Sequence, residues 1–268
     1  MIKKVVNNTY EKLVNAVRDS YKSPSCTVKE LKWCSESKAK IECNEINLWT
    51  YWQGKNKENT RILLVGQDWG CVDEEIAAPC IRNIKSMQKK TDVQYLDGVN
   101  KLFPTDRNLC ELFKVFSEYR DIEHTSYPDL FFTNFALGYR TSGISGGEKR
   151  AWFEKDRQYF YDLVMLLKPK VIICLGKIVY EEVLSTFQEK KVRYKNKDYW
   201  NMLETEKNNQ QISSVDMNYT GRVFGVAHCG GMGMANRKRH SQYKDKTGKD
   251  LQREDWEKIR DYMMKEEI

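Results

Sequence analysis

The chain has 268 residues, 40% of them hydrophobic and 31% charged, enough apolar material for a sizeable core and too much for wholesale disorder. Its 45 basic and 38 acidic residues leave a net charge of +7, a mild bias towards acidic partners that permits nucleic acid. No apolar run reaches the length of a membrane span, and Met1 to Tyr10 lacks the apolar core of a signal peptide, so neither a membrane nor secretion is expected and the cytoplasm is.

Residues 1–58 predict a helical, aromatic-rich extension packed on the main domain. Tyr10 to Tyr21 has helical apolar spacing, and Asn47 to Gln53 carries Trp49, Tyr51 and Trp52, either a packed helix face or a platform for stacked bases. Residues 59–268 then change pattern. Arg61 to Val65, Asp129 to Thr133, Val171 to Leu175 and Arg222 to Ala227 are short apolar runs of the kind that form buried strands. Helical patterns lie between and after them, at Asn108 to Tyr119, Glu148 to Leu167, Lys177 to Phe187 and Gln252 to Lys265. Apolar strands alternating with amphipathic helices predict a three-layer α/β/α fold with a mostly parallel sheet. The polar stretch at about 188–221 reads as an insertion or a small hairpin.

The eight cysteines contain no Cys-x-x-Cys pair and no compact Cys/His quartet, so thiols are expected rather than disulfides or a metal site. Cys174 lies within an apolar strand and reads as core. Ser145 to Arg150 reads as a loop with a helix start. Gly176-Lys177 is only the end of a phosphate-loop pattern, without the rest of that motif.

In an open parallel sheet, ligands bind where loops leave the carboxyl ends of the strands. The first predicted strand is followed by Gly66-Gln67-Asp68-Trp69-Gly70, the second by Asn134 and the fourth by His228. An acid, an amide and an imidazole therefore share one rim. Behind the histidine, Ala235 to Lys249 holds Arg237, Lys238, Arg239 and three further lysines against one acid, which is either a solvated surface or a phosphate-contacting one.

These blocks resemble the uracil-DNA glycosylase superfamily. Gly66-Gln67-Asp68 is similar to its first motif, and Asn134 in Phe132-Thr-Asn-Phe135 falls at its strand-end asparagine. Lys168-Pro-Lys-Val-Ile-Ile-Cys-Leu-Gly176 looks like its strand-and-turn segment, and His228 falls at the histidine of its second motif. The resemblance spans roughly residues 60 to 240 and implies excision of uracil or another damaged base from DNA. Asp68 would activate water, Asn134 would read the base and His228 would stabilise the departing base. Gly66, Gln67, Trp69, Gly70 and Cys80 would line the base site. Met232, four residues after the histidine, would wedge into the stack, with Arg237, Lys238 and Arg239 on the DNA backbone.

The chain also departs from the pattern. Gly70 stands where the uracil-specific branch has a tyrosine, and Cys80 where the iron–sulfur branch has a stacking phenylalanine. His228-Cys229-Gly230 replaces His-Pro-Ser. Cluster cysteines have no counterpart at Gly138 or between Glu148 and Lys168, so no cofactor or metal is implied. DNA is the expected partner and a monomer the expected state. The alternative is a weak or inactive nucleic-acid-binding protein on the same fold.

Overall fold

The computed structural model describes residues 4–33, 59–68, 104–120, 129–140, 150–188 and 190–268. Among the described residues the main sheet has five strands: β2 (Ile62–Gly66), β3 (Leu130–Asn134), β5 (Val171–Leu175), β6 (Gln210–Ser214) and β7 (Tyr219–Val226). Their order is β3-β2-β5-β7-β6; the first four run parallel and β6 runs antiparallel to β7. Every residue of β2, β3 and β5 is buried, which is why they read as unbroken apolar runs rather than alternating ones. A second, two-stranded sheet pairs β1 (Leu31–Lys32) antiparallel with β4 (Tyr139–Arg140).

The chain leaves β2 to one side to form β3, then crosses back over β2 to form β5. This reversal puts a crevice at the carboxyl ends of β2 and β5. Right-handed crossovers set the intervening helices on opposite faces: α2 (Pro104–Arg120) on one, and α3 (Arg150–Leu167) with α4 (Lys177–Phe187) on the other. The last helix, α7 (Gly248–Lys265), packs on α2, with Trp256 edge-on to Phe113. The first, α1 (Tyr10–Lys22), lies against α3. The observed class is therefore mixed α/β with a mostly parallel sheet. No helix among the described residues is long and apolar enough to cross a membrane.

The N-terminal segment is fastened by two aspartates of α3. Asp162 accepts the backbone N–H groups of Val6 and Asn7 and the Asn7 amide. Asp156, fully buried, accepts the Tyr21 hydroxyl and, at 2.7 Å, the Leu137 N–H. Burial raises the Asp156 carboxyl above its ordinary range, while Lys155, Tyr21 and the Leu137 N–H oppose the shift. The Lys155 ammonium also lies 3.3 Å from the centre of the Tyr21 ring, a cation–π contact.

The polar stretch before β7 is more ordered than its composition suggests. It contains α5 (Asn196–Leu203), whose Tyr199, Met202 and Leu203 are buried, and then β6. A hairpin is thus present, but a helix precedes it. Beyond the end of β6, the Asn208 side chain takes over as partner of β7. It donates to the Gly225 carbonyl and accepts its N–H, both at 2.7 Å. After the His228 loop the chain forms α6 (Gly231–His240). α7 starts four residues before Gln252 because Thr247 and Asp250 form a reciprocal capping box.

Candidate functional site

At the carboxyl end of β2, Gly66 and Asn134 are register partners. A Cβ on Gly66 would stand 2.1 Å from Asn134 Oδ1, so only glycine leaves the amide where it is. Two backbone bonds continue the pairing past the strands: Phe135 N–H donates to Gly66 O and Ala136 N–H to Gln67 O. Asn134 is 2% exposed, and among the described residues its Nδ2 has no hydrogen-bond partner. A buried amide donor without an acceptor is costly and uncommon in folded proteins.

Asp68 follows two residues after Gly66. Arg140 meets its carboxylate with a fork of two bonds, Nε to Oδ1 and Nη2 to Oδ2, each 2.7 Å. The two side chains are only 7% and 5% exposed. The guanidinium carbon also lies 5.0 Å from the centre of the Trp152 ring in α3. Arg140 is absent from the sequence reading. Its only signal is a basic residue six positions after the strand-end asparagine, and its partner strand lies more than a hundred residues earlier.

His228 stands two residues past β7, two strands from β2 and so roughly 10 Å across the rim. Its Nδ1 accepts the Gly230 N–H at 3.0 Å. In the neutral ring, an accepting Nδ1 places the proton on Nε2. The loop is held from both sides: Gln252 donates to the His228 carbonyl at 2.8 Å and Asn108 to the Cys229 carbonyl at 2.9 Å. A Cβ on Gly233 would stand 1.8 Å from the His228 carbonyl oxygen, so α6 can start only with glycine there.

Of the residues assigned to a DNA surface, Met232 is 74% exposed on the first turn of α6. Arg239 is exposed as well. Arg237 corrects the sequence reading. It is 1% exposed and binds Asp255 through Nε and Nη2 and Glu204 through Nη1. It joins α5, α6 and α7 and reaches no surface. Lys238 donates to the carbonyls of Lys244 and Lys246 and so folds the following loop. Lys246 pairs with Glu254 at 2.6 Å. Of the run, Arg237 alone is buried, whereas Arg239, Lys244 and Lys249 are exposed and Lys238 and Lys246 half-exposed.

Trp69, Gly70 and Cys80 lie outside the described residues, as do Cys34 and Cys43. Cys174 and Cys229 are buried free thiols, and burial pushes the Cys174 thiol far up. Among the described residues no group of His, Cys, Asp and Glu side chains is placed to hold a metal ion. In comparison with known proteins, the chain matches no family model and no curated protein.

Proposed function

We propose that this protein is a DNA glycosylase, hydrolysing the bond between deoxyribose and uracil or another deaminated base on a uracil-DNA glycosylase-like α/β/α scaffold. The observation that carries this reading is the buried Nδ2 of Asn134, without a partner among the described residues, on the rim that also bears Asp68 and His228. A base carbonyl or ring nitrogen supplies the acceptor that this donor lacks, once the base is flipped out of the stack. The bond from C1′ to the base nitrogen then breaks, its electron pair leaving with the base. Water bonds to C1′ and gives up a proton towards Asp68, from which it passes to the departed base. The Nε2–H of His228 faces the negative charge that develops on the base. The exposed Met232 supplies an apolar side chain at the mouth of the site.

One observation favours the alternative, a binding protein without excision: both Asp68 oxygens are already engaged by Arg140. Oligonucleotides carrying uracil, hypoxanthine or xanthine, cleaved with alkali after incubation, separate the two. The wild type should produce cleavable sites in at least one of them. Asp68→Asn should lower the single-turnover rate by orders of magnitude and leave oligonucleotide affinity nearly unchanged. Binding without cleavage in all three oligonucleotides assigns the protein to the alternative.

A further inference from the structure

We propose that Arg140 is a positioning residue for Asp68, fixing the plane of its carboxylate for the attack on C1′; this rests on the glycosylase reading above. A carboxylate at the end of a strand can ordinarily turn about two side-chain bonds. Here the planar guanidinium fork holds both oxygens at 2.7 Å, which a single-point cation cannot do. A carboxylate oxygen has two lone-pair directions, and the fork takes one on each oxygen.

The guanidinium is itself constrained on every side described. Its plane is backed by Trp152. Its backbone is paired with Leu31 in β1. Two residues earlier, Gly138 lies so close to Tyr21 that a Cβ would stand 2.5 Å from the ring. The whole connection from Asn134 to Arg140 is tethered, through Gly66, Gln67, Asp156 and Leu31. The amide that faces the base and the guanidinium that aims the carboxylate are thus two ends of one rigid loop. A salt bridge serving stability alone needs charge and burial, and it does not need this framing.

The test compares wild type, Arg140→Lys, Arg140→Met, Asp68→Asn and the Arg140→Met/Asp68→Asn double variant on the three oligonucleotides, with thermal melts of each. Arg140→Lys keeps the charge but loses the fork. It should melt close to wild type, bind oligonucleotide within about twofold, and excise about 10- to 100-fold more slowly in single turnover. The double variant should be no slower than Asp68→Asn alone, because both changes remove one function. Should Arg140→Met fail to fold, the lysine variant decides the matter. An Arg140→Lys protein excising at the wild-type rate overturns the proposal alone, as does a double variant whose losses multiply. A wild type that excises none of the three bases overturns this proposal together with the glycosylase reading.

Discussion

Gly66 and Asn134 compete for the same space, and that fixes what a minimal change at residue 66 would do. The atom in the way is the far end of a side chain, so Gly66→Ala should rotate the amide out of place rather than break the strand. We expect a stability loss of about 1–3 kcal/mol and, on the proposed glycosylase reading, a loss of excision of tenfold or more. Urea melts and single-turnover assays would check this; an active Gly66→Ala protein would remove Asn134 from the site. At this scale, Asp68, Asn134 and His228 were legible because strand ends are legible: an apolar run stops and a polar residue follows. Arg140 was not, because its strand has two residues and is defined by a partner far away in sequence. Arg237 was misread for a related reason. A run of basic residues looks like a surface until Glu204 and Asp255 are folded against it.

Among the elements, the central strands follow from short unbroken apolar runs and the helices between them from hydrophobic period. What escaped were pieces whose identity depends on neighbours. α5 lies in a polar stretch with only Tyr199, Met202 and Leu203 buried, and α6 has few apolar residues to show a period. The N-terminal helix was legible, but its attachment was not. Tyr21 reaches Asp156 from 135 residues away, and burial and that carboxylate hold its phenol well above the usual range. Tyr21→Phe keeps the ring and its contact with Lys155 but removes one bond to a buried carboxylate. It should destabilise the protein by about 1–3 kcal/mol, seen as a lower urea midpoint. Because the same aspartate holds Leu137 in the loop leading to Arg140, on the proposed glycosylase reading the variant should also slow excision. A drop in stability with an unchanged rate would separate the N-terminal segment from the site.

On the scale of the whole molecule, one buried charge cluster lies where α5, α6 and α7 meet. One guanidinium, Arg237, is divided between Asp255 and Glu204, and Lys258 stands 4.0 Å from Asp255. Burial pushes Asp255 up to about 6, although Arg237 faces it. A carboxyl whose folded pKa lies above its unfolded value near 4 holds its proton more tightly when folded. Its contribution to stability is therefore full in acid and is lost as pH rises from about 4 to about 6. The stability of wild type relative to Asp255→Asn should fall across that window, measured as urea midpoints at pH 4, 5, 6 and 7. A difference that is flat or rises with pH would contradict it. The Asn208 clasp on Gly225 has a consequence of another kind. β6 ends before β7 does, and the uncovered stretch would present a bare ladder edge, the template on which strands of neighbouring molecules add to one another. Asn208 fills both bonding positions of Gly225 with a side chain. Side chains that imitate a peptide group stop the sheet from growing there, guarding the margin beside the His228 loop against aggregation without lengthening the hairpin.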